Sequence, residues 1–207
     1  MVAHLPNIDL KLAERVAKGL GMDGKLKSAK AAVEPRDDMK KSKALSIMLN
    51  PPGTFAGRKV GALVTNGSDH KLIEALKTEI QRTGATLELV APTIEGIHAD
   101  DGSALKVDHK IGGGPSVLFD AVVILPSAEG VQALATNAAA SEFVADAFGH
   151  LKYIGWVATA RPLFERAGIL EKMDAGCIEL NKPAAVRDFV SSCENLRLWD
   201  RERVVTF

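Results

Sequence analysis

With two cysteines, one tyrosine and two tryptophans in 207 residues, the chain is short of the materials for several familiar kinds of protein. Cys177 and Cys193 cannot supply the disulfide framework of a small secreted domain, and so few thiols suit a reducing, cytoplasmic setting. No sign of charge is in excess. The 26 Lys and Arg residues are matched by 26 Asp and Glu, so the chain lacks the basic field that nucleic acids and anionic membrane surfaces require. No apolar run approaches the roughly 18–20 residues that span a bilayer. The opening segment MVAHLPNIDLKLAERV has no apolar stretch of the kind a secretion signal carries. What remains is an average globular mix, 46% hydrophobic and 25% charged. Its length suits one domain with appendages or two small ones, at about 150 residues per domain.

Hydrophobic rhythm divides the chain into three stretches. Within residues 1–24, Leu10, Leu12, Ala13, Val16, Ala17 and Leu20 recur at helical spacing, so a short amphipathic helix is expected over 5–20, stopped by Gly21 and Gly24. Residues 25–57 lose that rhythm and end in Asn50-Pro51-Pro52-Gly53, which continues neither a helix nor a central strand. They read as an extended strap. Met39, Leu45, Ile47, Met48 and Leu49 suggest that part of it lies on something apolar, a folded neighbour outside the chain being one candidate.

Residues 58–207 are regular. Apolar runs at 59–65, 86–91, 119–125, 153–157 and 177–180 have strand length, and Leu72, Ile73, Leu76 and Ile80 form one helical stripe, with Ser68 as the expected cap and Thr83-Gly84 as the stop. Further helices are expected around Val131–Phe148, over 161–168 and over 183–195, and Asp101-Gly102 marks a hairpin within 94–111. Strands buried on both faces and alternating with helices imply a mostly parallel sheet covered on each side, a doubly wound, flavodoxin-like α/β domain of three layers.

In such a sheet, ligands sit beyond the carboxyl ends of the strands. The loop Thr65-Asn66-Gly67-Ser68-Asp69 precedes a helix but has neither a dinucleotide nor a triphosphate glycine pattern, so a turn with a helix cap explains it better than a phosphate or flavin site. Gly112-Gly113-Gly114 is followed by Pro115 and a strand, so it has no helix end to offer an anion. His98, Asp100, Asp101, Asp108 and His109 crowd the hairpin at spacings that match no metal motif, and a solvated tip accounts for them. The fourth loop, Ala158-Thr159-Ala160-Arg161-Pro162, stands where α/β hydrolytic enzymes place a nucleophile on a sharp strand-to-helix bend. Ala158 has no nucleophilic atom. Thr159 has no histidine near it in sequence, His150 lies before the strand, and Cys177 and Cys193 read as small buried apolar residues.

The runs Gly57–Thr65, Phe119–Pro126 and His150–Gly168 resemble the class I glutamine amidotransferase-like superfamily. The segment Asn7–Gly21, the strap ending in Pro51-Pro52 and the domain that follows are more closely similar, in that order, to the C-terminal domain of large-subunit haem catalases. Set against the enzymatic members of the superfamily, the elbow cysteine aligns with Ala158, the acidic partner falls near Leu72, and a Gly-Gly of the oxyanion site is replaced by Ser127-Ala128. The resemblance thus implies a domain without catalytic, cofactor-binding or metal residues of its own. Residues 1–24 would be the end of the catalase helical region, 25–57 the linker and 58–207 the appended domain. The haem, the peroxide chemistry and the proximal tyrosine would belong to an upstream core, and Tyr153, the only tyrosine, is not that ligand. The implied partners are the catalase core and the other subunits of a homotetramer, with unfolded client proteins as a further possibility for the isolated domain. The alternative is a free-standing thiol-dependent hydrolase or deglycase, which requires a cysteine at position 158.

Overall fold

A computed structural model describes residues 2–22, 26–36 and 38–205; the expected stop at Gly24 lies outside them. The described residues divide into two compact units, 2–45 and 46–205. No helix among the described residues is long and apolar enough to cross a membrane.

In the first unit a 3-10 segment, Val2–Asn7, packs against helix α1, Leu10–Gly19. The helix starts later than its apolar spacing suggests because Asp9, in extended conformation, caps it through its carboxylate on the Leu12 N–H at 2.9 Å. Small residues face inward, with Ala13 and Ala17 buried, while Leu10, Leu12 and Leu20 lie exposed. Residues beyond the helix run back along the 3-10 segment, tied by Ala29 N–H to the Ala3 carbonyl and by the Asn7 side chain to the Ala29 carbonyl.

The second unit is the α/β domain. Its elements are β1 (Lys59–Val64), α2 (His70–Arg82), β2 (Thr86–Ala91), a small hairpin of β3 (Ile97–His98) and β4 (Ala104–Leu105), then β5 (His109–Lys110) and β6 (Ala121–Leu125). These are followed by α3 (Gly130–Ala135), α4 (Ala138–Gly149), β7 (Ile154–Trp156), α5 (Arg161–Arg166), β8 (Cys177–Glu179) and α6 (Pro183–Cys193). Six strands form one all-parallel sheet in the order β5-β2-β1-β6-β7-β8, with Ala62 opposite Leu89 on one side and Val123 on the other. This is the doubly wound, flavodoxin-like arrangement expected.

Period-two alternation sorts the core into two layers. Val60, Ala62, Val64, Val123 and Leu125 meet Ile73, Leu76 and Ile80 of α2 and Val186, Phe189 and Val190 of α6. Leu63, Val122, Ile124 and Ile154 meet Leu134, Phe143, Val144 and Phe164 of α3, α4 and α5. Gly61 is required mid-strand because the Phe119 ring lies where a Cβ would project. Phe55, ahead of β1, is almost wholly buried in the first layer, so the end of the strap belongs to this core. Met39, Leu45, Ile47, Met48 and Leu49, the apolar residues that suggested a buried strap, are exposed.

Candidate functional site at the carboxyl end of the sheet

Neighbouring strands β1 and β6 continue in opposite directions, to β2 on one side and to β7 on the other, so the crevice of the fold opens at their carboxyl ends. Three hydroxyl side chains fill it. The Thr65 Oγ accepts from the Ser127 N–H at 2.9 Å and lies 3.3 Å from the Ser127 Oγ, which accepts from the Gly130 N–H at 2.9 Å. Thr159 Oγ donates to the Pro126 carbonyl at 2.8 Å. Helix α3 begins flush against this seam, since any Cβ at Gly130 would collide with the Thr65 side chain.

Ser68, expected as the α2 cap, has a different role. Its Oγ donates to the Leu125 carbonyl at 2.6 Å and accepts from the Thr65 N–H at 2.9 Å, cross-linking β1 to β6 while fully buried. A buried hydroxyl pairs where both its donor and acceptor needs are met. Asp69 caps the helix instead, accepting from Leu72 N–H at 2.9 Å.

The helix N-terminus that would attract an anion is occupied by the chain's own carboxylates. Alongside Asp69, Asp100 of the hairpin accepts from the His70 N–H at 2.9 Å, and Asp101 meets the His70 ring at 2.7 Å. That bond raises the His70 pKa and holds Asp101 well below the usual carboxylate range. The backbone of the hairpin adds Gly67 N–H to the His98 carbonyl and Asp100 N–H to the Ser68 carbonyl, and Asn66 accepts from His98 N–H. The hairpin tip is solvent-exposed, as expected, and its side chains also clasp the 65–70 loop. Asp108 and His109 belong elsewhere. Asp108 accepts from Leu89 N–H, and His109 pairs with Glu88 at 2.8 Å at the edge of the main sheet. Among the described residues no three His, Cys, Asp or Glu side chains gather as metal ligands.

Ala158 begins a short 3-10 turn leading into α5, without the strained backbone of a nucleophile elbow. Thr159 is spent on the Pro126 carbonyl, and His150 sits at the far end of α4, its ring on the Asp146 carbonyl. Leu72 occupies the first turn of α2 and packs against the core. Cys177 is half-buried rather than buried, 3.8 Å from an Arg201 nitrogen, yet burial pushes its thiol up to about 11. Burial pushes Cys193 up further. Neither presents a thiolate near neutral pH. Sequence reasoning missed the seal itself, although Thr65 and Ser127 mark the ends of apolar strands where glycine-rich loops serve ligand-binding relatives of this fold.

This geometry has counterparts among known proteins. Oxidized DJ-1 of Toxoplasma gondii shares the fold, with a TM-score of 0.56 at 14% identity over 72% of this chain and 96% of that one. Catalase C of Rhizobium meliloti is 48% identical over 98% of this chain, and Catalase HPII of Pseudomonas putida is 34% identical over 96%. The chain spans 29% and 27% of the lengths of those two relatives. The C-terminal domain found in long catalases matches residues 56–203, and with nearly three quarters of its length so matched the chain belongs to that family.

Proposed function

We propose that this chain is the non-catalytic C-terminal domain of a large catalase that converts hydrogen peroxide to water and oxygen in the cytoplasm. In this reading 1–24 ends the helical region of the enzyme core, 25–57 links it to the domain, and 58–207 is the domain. The observation that carries it is the chemistry of the crevice: Thr65 and Ser127 bond each other, Thr159 is spent on the Pro126 carbonyl, and Ala158 stands at the elbow. Haem belongs to the upstream core. Tyr153 does not fit an axial ligand, because its phenol is buried beside Asn195, and burial raises its pKa.

The domain's contribution is to stabilise a homotetramer and to shape the path of peroxide to the core. Purified alone, the chain is expected to show no haem absorption band and no oxygen release from peroxide. Fused to its catalase core, it is expected to keep the tetramer intact at dilutions where the core alone dissociates, as measured by analytical ultracentrifugation. Equal dissociation with and without the domain would sink that role.

A holdase activity of the isolated chain is a second reading, favoured by the exposed Val33, Met39, Leu45 and Ile8, each at least 70% accessible. Light scattering of a heat-aggregating client should fall at an equimolar ratio, and no protection counts against it. The alternative of a thiol hydrolase predicts glyoxalase or peptidase turnover that disappears in Cys177→Ser; the raised thiol pKa argues against it.

A further inference from the structure

The amino end of the sheet carries a cavity of about 310 Å3, at the lower limit of the range for small-molecule sites (about 300–1,000 Å3). Its walls are apolar and polar in about equal measure. Tyr153, just ahead of β7, and Trp199, in the 3-10 turn Trp199–Arg203, contribute rings, and Met48 and Pro51 line it from the segment that precedes β1. Its polar groups are Asn195 and Arg197, with the exposed Asp200 also in the lining.

Arg197 is the informative residue. It is half-buried, and its Nη1 donates to the Asp120 carbonyl at 3.1 Å and the Leu196 carbonyl at 2.8 Å. Those bonds anchor one corner of the guanidinium and leave Nε and Nη2 as donors. Among the described residues no carboxylate lies within ion-pair distance of Arg197, and the Asp120 carboxylate is engaged by Arg58 at 3.0 Å. A partly desolvated guanidinium that no carboxylate bonds directly has donors free for a planar oxyanion. Burial lowers its pKa, and the Asp120 carboxylate offsets that only in part.

The turn that carries it is held in an unusual shape. Leu196 has φ +66°, and Leu151, whose carbonyl accepts from Leu198 N–H at 2.8 Å, has φ +60°. Leucine rarely adopts the left-handed region, and packing must enforce it. The backbone conformation enforced there carries Arg197 and Trp199 to the same cavity.

We propose that this cavity binds a small planar aromatic monocarboxylate, its ring against Trp199 and Tyr153 and its carboxylate on Arg197. Rings prefer flat partners in offset or edge-on contact, so the walls select planarity. Asp200 selects against a second negative charge.

The test uses 2-naphthoate as probe and the 207-residue chain at low salt. Calorimetry should show a single saturable site with a dissociation constant below about 1 mM. Tryptophan quenching should accompany it and vanish in Trp199→Phe, while Trp156 in β7 keeps emitting. Arg197→Gln, and separately the uncharged methyl ester of the probe, should each weaken binding by about tenfold or more. The 2,6-dicarboxylate should also bind more weakly. Because Arg197 also supports two carbonyls, Met48→Asp at an exposed wall position gives an independent variant: it should abolish binding with an unchanged circular dichroism spectrum. Absence of saturation overturns the proposal. So does equal affinity for acid and ester, or unchanged affinity in Met48→Asp.

Discussion

The two ends of one parallel sheet have been treated in opposite ways. At the carboxyl end, where this architecture ordinarily binds ligands, neutral hydroxyls and short backbone bonds close the crevice, and the helix N-terminus is neutralised from within by Asp69 and Asp100. At the amino end, cations are buried. Arg201 is 1% exposed, donates twice to Asp174 at 2.7 Å and to the Lys152 carbonyl at 2.6 Å, and stacks on Phe148 at 4.3 Å. Lys152, 3% exposed, donates through Nζ to the Ser116 and Phe119 carbonyls at 2.5 and 2.7 Å. The contrast teaches that the two ends of one sheet can be stabilised by different chemistry. Small polar side chains satisfy one another cheaply, whereas a buried cation must be surrounded by fixed acceptors and so organises every segment that reaches it.

Breaking the amino end should have the largest effect. Arg201→Met leaves Asp174 half-buried without its partner and removes a donor from two carbonyls, so a loss of about 3–5 kcal/mol is expected. Thermal denaturation should show a midpoint lowered by roughly 10 °C or more; a shift within a degree or two of wild type would mean the buried cation organises nothing.

Breaking the carboxyl end should cost less. Gly130→Ala drives a methyl group into Thr65, and about 1–3 kcal/mol is expected from urea unfolding. The double variant Gly130→Ala with Thr65→Ala, which removes the Thr65 Oγ1 nearest the new methyl group, should recover part of that loss if the Thr65 contact is its cause.

The clasp between His70 and Asp101 sharpens the comparison through pH. A raised native pKa for His70 means its contribution is complete below the unfolded value of about 6.5 and is lost as pH rises through the higher native value. The depressed Asp101 contributes above its unfolded value of about 3.9 and loses that contribution only as pH falls through its lower native value. The stability difference between wild type and Asp101→Asn should therefore be widest between about pH 4 and 6.5 and shrink toward pH 8. A difference that does not vary with pH would show that the pair is not an ion pair.

Lys152 behaves in the opposite sense. Burial depresses its pKa to about 8, so the unfolded chain binds more protons and stability should rise from about pH 8 toward 10, a rise absent in Lys152→Met.

The smallest effect is expected at the elbow. Ala158→Cys changes an exposed position and should alter stability by no more than about 0.5 kcal/mol. It should create no glyoxalase or peptidase turnover, since among the described residues no histidine is hydrogen-bonded there to activate a thiol. Turnover in that variant would show that the crevice is only one atom short of an enzyme.

Strand and helix positions in 58–207 were readable because apolar period and turn residues report backbone geometry directly. That position 158 carries no nucleophilic atom is visible in one letter, whatever the role of the bend. The roles of Ser68 and Asp69 were not readable. Both residues cap helices well, and only the distance from Ser68 to the Leu125 carbonyl, 57 residues away, assigns one to the sheet and the other to the helix. The hairpin was recognised from Asp101-Gly102, but its tip pairs with His70, 31 residues earlier, and no local pattern encodes that. Leu10 and Leu12 were expected in a helix and are in one, yet exposed, as is Leu20 at its C-cap, because spacing tells where a helix runs and not what covers it.

The order of residues by itself determined the alternation of strand and helix, the parallel sheet that alternation requires, and the want of a reactive atom at the bend, because each follows from local geometry or from the identity of a single side chain. Only the tertiary structure decided that Thr65 bonds Ser127 and Thr159 the Pro126 carbonyl, that Arg201 and Lys152 are buried, and that Arg197 shares a cavity with Tyr153 and Trp199. Those outcomes depend on which distant groups arrive within bonding distance, a property of the packed chain that sequence separation does not carry.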